Sequence, residues 1–246
     1  MSLWPQVSLV YDGSFAGFLC CVAHSFRYKE YPFYFFTPDD MQTSLYPLRE
    51  VERRDALAKK VYAFLKTKLS LSVRQMVEYA FLTCLPQRER HIYDFIYANV
   101  FGGPILDHTD ERVFILNKAI RHLMGETEKL LGFVRFSDYQ GLLVSEISPK
   151  NRVLPLLRPH FCSRFSSEAF LIHDLTHKEA LLYAGNQWKI LPLDELCLET
   201  PDESELRMRG LWKEFYQRIS ITERKNPKLQ ISHMPKRYHT HLTELN

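Results

Sequence analysis

Two short stretches of the sequence carry side chains whose types and spacing suit acid–base chemistry or phosphate binding. In RPHFCSRF, His160 and Arg164 are four residues apart, so a helix would present both on one face. In AFLIHD, His173 and Asp174 end a predicted strand and point to opposite sides of it. Histidine, arginine and carboxylate together can bind a phosphate or exchange protons with a substrate. The four residues are candidate catalytic residues, although a structural or anion-binding role is the favoured interpretation.

Three further residues, near the ends of two predicted elements, are candidates for function. Asp12 follows a strand and precedes Gly13, where a carboxylate can serve a site or form an Asx turn, and the turn is favoured. Arg90 and His91 add basic groups to a helix start, where the helix dipole favours acids. This mismatch suggests a binding partner. The alternative is that the neighbouring Glu89 and solvent are sufficient to accommodate the basic groups there, without any partner.

The stretch from Ile221 to Leu242 places basic residues among prolines and apolar residues. From Leu206 to Asn246 there are nine Lys and Arg against three Asp and Glu, whereas the rest of the chain is slightly acidic. Such an asymmetry suggests a polyanionic partner, and the alternative is a solvated basic face. Apolar residues between the charges predict a segment anchored to the body of the protein. The expected phosphate contacts, with Tyr238 as a base-stacking group, are Arg224, Lys225, Lys228, Lys236 and Arg237.

The signatures of common cofactor and metal sites are absent from the sequence. There is no GxGxxG, no P-loop motif, no HExxH and no nucleophile elbow, and the histidines and cysteines show no metal-ligand spacing. We therefore predict no cofactor and no metal, and the sequence leaves open whether the protein is an enzyme. An odd number of cysteines without CxxC, no signal peptide and no long apolar segment predict a cytoplasmic protein outside the membrane.

Apolar periodicity predicts that helices dominate the first half of the chain. A strand at 7–13 precedes a helix capped by Ser14, and an extended aromatic run follows at 31–36. A loop over 37–47 comes next. The four helices after it are marked by apolar repeats over 57–65, 73–85, 92–100 and 113–130.

After Gly132 the pattern changes to short extended runs. The predicted strands cover 133–136, 142–147, 169–174, 179–184 and 187–191, with Gly185-Asn186 as a hairpin signal. A short irregular helix over 151–165 lies between them, and an amphipathic helix with apolar residues over 211–219 follows. This predicts an α+β protein in which a helical bundle packs with an antiparallel meander of about five strands. A single domain over 1–246 is expected, in which the first strand could join the meander, with a sub-boundary near 102–107 as the alternative.

An ordered set of motifs resembles a bacterial protein family. YDGSFAGFLCCV, RHIYDFI, GFVRF, NRVLPLLRPHFCSRF, IHD and ERKNPKLQISHMPKRYHTHLTE follow one another from Val7 to Glu244. Together they resemble uncharacterised proteins associated with DNA metabolism and DNA repair. His239 departs from that pattern, which has an aromatic residue there. The positions that match the recurring motifs are Asp12, Gly13, Arg90, His91, Arg135, His160, Arg164, His173, Asp174, Arg224, Asn226, Pro227, Pro235, Arg237 and Tyr238.

The resemblance implies a setting and a partner but no reaction. Members of that family look like partners of a radical S-adenosylmethionine protein of DNA repair or modification, and a similar domain is fused to uracil-DNA glycosylase-like domains. We therefore expect an accessory protein that binds DNA or another nucleic acid. Two alternatives stay open. One is an enzyme that acts on a phosphate or damaged base through the four candidate catalytic residues, and the other is a protein-interaction module that does not contact DNA.

Overall fold

The structure is a computed structural model that describes residues 4–38, 40, 44–102, 110–198, 200–219, 221 and 226–245. It divides into two compact units, Met1–His122 and Leu123–Asn246, which we call unit 1 and unit 2. The division falls inside a long helix. Most of the alternative sub-boundary near 102–107 lies outside the described residues, and the single-domain organisation stays a prediction. Within the described residues, no helix is long and apolar enough to cross a lipid bilayer.

Unit 1 contains a parallel sheet whose described strands have the order β2-β1-β3. The strands are β1 (Gln6–Val10), β2 (Tyr31–Phe36) and β3 (Leu48–Glu50), and α1 (Phe15–Tyr28) is the crossover that parallel neighbours require. The expectation that β1 could join the later meander is therefore wrong. Val7, Ser8 and Leu9 are all buried, as is typical of a central strand covered on both faces.

The helices predicted from apolar periodicity are present in unit 1. They are α2 (Asp55–Lys68), α3 (Leu71–Phe81), α4 (Arg88–Phe101) and α5 (Glu111–Phe133), the last of which continues into unit 2. Their buried side chains join those of α1 and β1 in one apolar core around Phe18, Tyr93 and Phe95. Ser14 caps α1 as predicted, because its hydroxyl accepts a hydrogen bond from the Gly17 amide.

Unit 2 contains a mixed sheet whose described strands follow chain order from β4 to β8. Neighbouring strands pair antiparallel except β5 and β6, which run parallel and are joined by α6 (Leu154–Arg164). The predicted meander is therefore corrected at this pair, because the connection contains a helix and a strand–helix–strand unit favours parallel pairing. The strands are β4 (Ser137–Tyr139), β5 (Leu142–Ile147), β6 (Ala169–Asp174), β7 (Glu179–Ala184) and β8 (Gln187–Pro192).

Two predictions for unit 2, the strand at 133–136 and the hairpin at Gly185-Asn186, have different outcomes. The strand predicted at 133–136 is wrong, because Phe133 ends α5 and the Val134 amide still donates to the Leu130 carbonyl. The predicted hairpin between β7 and β8 is confirmed, since Gly185 and Asn186 have φ angles of +56° and +62°. Two positive φ angles in succession are typical of a type I′ turn.

The C-terminal part of unit 2 is helical and carries exposed apolar residues. It consists of α7 (Glu203–Ile219), α8 (Pro227–His233) and the 3₁₀ turns Lys236–His241 and Thr243–Leu245. No residue of α7 is buried, although the helix lies where its apolar repeat predicted it. With helices and two sheets in one chain, the predicted α+β class is confirmed.

Candidate functional site

A buried carboxylate anchors the C-terminal segment, by which we mean residues 226–245, to the rest of unit 2. Glu126 on α5 is only 4% exposed and accepts hydrogen bonds from the backbone amides of Lys150 and Asn151. Its Oε1 also accepts from Arg237 Nη2 at 2.7 Å and from the Tyr238 hydroxyl at 3.1 Å. These bonds compensate the burial of the carboxylate charge. We call these residues the Glu126 network.

The Glu126 network changes the interpretation of two predicted nucleic-acid contacts. Arg237 is paired with an acid instead of being available to a phosphate. Tyr238 is 2% exposed and its ring lies against Phe133, so it cannot stack on a base in this conformation. Burial raises the pKa of its hydroxyl. Both residues fix the C-terminal segment, which agrees with the prediction of an anchored segment and corrects the roles assigned to them.

Other basic residues of the region remain available to a ligand. Lys228 on α8 and Lys236 are exposed and form no ion pair with any described residue. Arg207 on α7 is exposed in the same way. Arg224 and Lys225 lie outside the described residues.

Unit 2 also has a polar cleft of about 320 Å³ that sequence analysis did not single out. Its walls come from β4, β5, α7 and the 3₁₀ turns. Its polar side chains include three bases, one carboxylate, one imidazole and several hydroxyls, namely those of Arg135, Arg209, Lys213, Glu146, His241, Ser137, Tyr139, Thr240 and Thr243. A cleft this rich in donors suits an anionic ligand.

Two arginines of the cleft are held in place by carboxylates behind them. Arg209 donates through Nε to Glu205 at 2.7 Å and through Nη2 to the Ser137 hydroxyl. Arg135, a motif position, donates through Nη2 to Glu244 at 2.8 Å. Burial works against the Glu244 charge, but the bonds from Arg135 and from Trp212 on α7 keep the pKa of this carboxyl below its usual value. Fixed guanidinium groups are preorganised to meet a ligand.

Lys213 differs from the two arginines of the cleft. It lies four residues after Arg209 on α7, so both side chains share a face of the helix. Neither an ion pair nor a hydrogen bond of Lys213 occurs among the described residues. This half-buried ammonium is therefore the cation of the cleft with the most donor capacity left for a ligand.

The floor of the cleft contains a carboxylate with a buried histidine behind it. Glu146 and His173 are register partners on β5 and β6, and Glu146 Oε1 lies 3.8 Å from His173 Nδ1. His173 Nε2 lies 3.0 Å from the Leu193 carbonyl, so Nε2 must be the donor. His173 Nδ1 is buried without a hydrogen-bond partner among the described residues. An unsatisfied buried nitrogen beside a carboxylate is unusual and calls for an explanation.

A second histidine faces the cleft from the C-terminal segment. His241 Nε2 lies 2.9 Å from the hydroxyl of Ser148, the residue that follows β5. Burial lowers the pKa of His241, and the nearby Glu146 charge opposes that effect.

The four candidate catalytic residues do not form one site. Asp174 is buried and accepts from the His177 amide and from His177 Nδ1, so it shapes the turn after β6. His160 and Arg164 are exposed on α6, whose end leads to the start of β6. His173 and Asp174 lie at the opposite end of that strand. No contact among the described residues joins the two pairs, because the His160 ring lies against Phe161 whereas His173 and Asp174 bond to Leu193 and His177.

The motif positions of unit 1 have structural roles. Asp12 Oδ1 accepts from the Ser14 amide and hydroxyl, which confirms the favoured turn interpretation. Arg90 donates to Asp94 at 2.9 Å and to the Phe33 carbonyl at 3.1 Å, so it ties α4 to β2. His91 is half-buried, and the described residues give its imidazole no hydrogen-bond or ion-pair partner.

The cleft and the Glu126 network lie within a stretch that known proteins share. The sequence profile of DUF4130, a domain of unknown function, matches residues 86–244, which is more than half of the chain. The chain belongs to the DUF4130 family. No curated protein and no solved structure matches it. The DUF4130 stretch begins just before α4. It therefore contains every residue of the candidate site in unit 2 and excludes the parallel sheet of unit 1.

Two residues of the DUF4130 cleft have a spacing that is recognisable in the sequence. Arg209 and Lys213 are four apart on a predicted helix, the same spacing that drew attention to His160 and Arg164. Glu146 had no such signal. It lies between Ser145 and Ile147 on a predicted strand, and only the pairing of β5 with β6 places it against His173.

Proposed function

We propose that this DUF4130 protein binds nucleic acid as an accessory protein in DNA repair or modification, with a radical S-adenosylmethionine protein as its partner. The biological setting comes from the family resemblance of the motifs. The physical support is the group of exposed C-terminal cations that have no acidic partner among the described residues, namely Arg207, Lys228 and Lys236. Such cations can neutralise phosphates regardless of base sequence.

Replacing these three cations with alanine is expected to weaken nucleic-acid binding and its salt dependence together. Each lost phosphate contact lowers the slope of log affinity against log salt by about 0.9 on duplex DNA, so the triple variant should lose about 2–3. The measurement is fluorescence anisotropy with single- and double-stranded oligonucleotides, using the full chain across a salt series.

A charge-matched triple variant is the control for that experiment. Lys59→Ala, Lys150→Ala and Lys189→Ala remove three exposed positive charges elsewhere in the chain. This variant should keep the wild-type slope. Equal slopes in the two triple variants, or weak wild-type binding that does not change with salt, would count against the proposal.

The exposed apolar face of α7 supports the partner role. Met208, Leu211, Phe215 and Ile219 follow one another at intervals of three, four and four residues, and all are exposed. This spacing places them on one face of the helix, and we call them the α7 stripe. A contiguous apolar surface of this kind is typical of a protein contact.

The partner contact can be tested separately from nucleic-acid binding. Leu211→Glu together with Phe215→Glu should abolish co-purification with the radical S-adenosylmethionine protein of the same organism, because both charges would be buried in the contact. Leu45→Glu together with Leu71→Glu alters two leucines elsewhere that are even more exposed, and it should leave co-purification intact. If the stripe variant retains the partner, the α7 stripe is not the contact.

A further inference from the structure

The cleft of unit 2 has the size and polarity of a site for a single small group. Its volume of about 320 Å³ is at the lower end of the roughly 300–1,000 Å³ that small-molecule sites occupy. It could therefore hold one nucleotide but not a run of stacked bases. Exposed cations such as Lys228 and Lys236 are different, because they can contact phosphates along a nucleic-acid backbone without enclosing any group.

One wall of the cleft suits a phosphate with two negative charges. Lys213 has all three ammonium donors available among the described residues, and Arg209, which bonds Glu205, Ser137 and Tyr139, adds a second positive charge on the same face of α7. Glu205 holds the Arg209 guanidinium through its Nε at 2.7 Å. A terminal phosphomonoester carries more charge than a phosphodiester inside a strand, so it gains more from this pair of cations.

The floor of the cleft suits a hydrogen-bond donor instead of an anion. Glu146 is 43% exposed in its side chain, so a ligand can reach its carboxylate. His173 is buried beside it, and its Nδ1 lies 3.8 Å from Glu146 Oε1 without forming a hydrogen bond, so the Glu146 carboxylate keeps its acceptor capacity for a ligand. A carboxylate a short distance from two cations would repel a second phosphate and accept a bond from a sugar hydroxyl or a base amino group.

We propose that this cleft binds the terminal phosphomonoester of a nucleic-acid strand. Lys213 contacts the phosphate, Arg209 adds the second positive charge, and Glu146 accepts a hydrogen bond from the sugar or base of the terminal nucleotide. The inference rests on the proposed function, since the strand supplies the group that the cleft recognises. A free nucleoside monophosphate has the same chemistry and is the alternative source of the ligand.

The test compares internally labelled single strands of one sequence that carry a 5′-phosphate, a 3′-phosphate or no terminal phosphate. One phosphorylated strand should bind about tenfold more tightly than the unphosphorylated strand. Lys213→Ala should reduce its affinity to that of the unphosphorylated strand, and Lys213→Arg should retain the preference. Lys189→Ala, an exposed control on β8, should leave all three affinities unchanged.

Two further arms identify the ligand and the role of Glu146. Competition by millimolar nucleoside monophosphate would identify the free nucleotide as a ligand, whereas end preference without such competition would identify the strand end. Glu146→Gln should weaken nucleoside monophosphate binding more than inorganic phosphate binding. Salt-steep binding of all three strands with equal affinity would overturn the cleft proposal and leave the proposed function standing. Absence of binding by every strand would overturn both.

Discussion

Arg237→Ala is expected to lower the free energy of unfolding of unit 2 by about 2–4 kcal/mol. The change leaves the buried Glu126 carboxylate without its cation, while the amides of Lys150 and Asn151 still donate to it. The expected loss is below that of a fully buried pair because the Arg237 side chain is 37% exposed. Native-state hydrogen exchange at the amides of Lys150 and Asn151 measures the loss within unit 2.

Two variants show whether the loss comes from the Glu126 network. Lys236→Ala removes the neighbouring exposed cation and should change stability by no more than about 0.5 kcal/mol. Glu126→Gln in the Arg237→Ala background should recover part of the loss, because a neutral amide needs no cation. The network would have no stabilising role if Arg237→Ala and Lys236→Ala behaved alike.

Gly17→Ala is expected to lower the free energy of unfolding of unit 1 by about 1–3 kcal/mol, although alanine normally stabilises a helix. A Cβ atom at Gly17 would lie 2.0 Å from Asp12 Oδ1 and 3.0 Å from the Tyr11 ring. Asp12 would have to give up its bonds to Ser14, which hold the turn between β1 and α1. Hydrogen exchange of the α1 amides, followed by mass spectrometry, reports on this change.

Gly210→Ala is the matched control for that prediction. Gly210 lies within α7, and a Cβ atom there would meet nothing within 4 Å. The substitution should stabilise α7 by up to about 1 kcal/mol, the opposite sign from Gly17→Ala. Combining Gly17→Ala with Asp12→Ala should reduce the loss, because the clashing oxygen is removed. Stabilisation by Gly17→Ala alone would show that the turn relaxes freely.

Most of the secondary structure could be predicted because it depends on local patterns. Apolar residues repeat every three or four positions along α2 to α5, and Gly185-Asn186 imposes its turn through two positive φ angles. The parallel sheet of unit 1 could not be predicted in this way. Its third strand, Leu48–Glu50, has three exposed residues and no pattern, and it exists because β1 offers it a free edge.

The candidate site was less predictable because charge in a sequence does not show what each charge faces. Counting bases identified the C-terminal region but could not separate Arg237, which is paired, from Lys236, which is not. The acid that pairs with Arg237 is 111 residues earlier in the chain. In the same way, His173 was singled out for its chemistry, but only the register of β5 and β6 places it behind Glu146.

The separation of 111 residues within the Glu126 network has a consequence for the order of events during synthesis. Chains emerge from the ribosome N-terminus first, so α5 is complete long before Arg237 and Tyr238 exist. Until these residues arrive, the Glu126 carboxylate lacks the bonds from Arg237 and Tyr238 that compensate its burial, so it must stay hydrated. Unit 2 can therefore reach its native arrangement only after translation has passed the C-terminal segment, whereas β1 to α4 of unit 1 need no residue from that segment for their core.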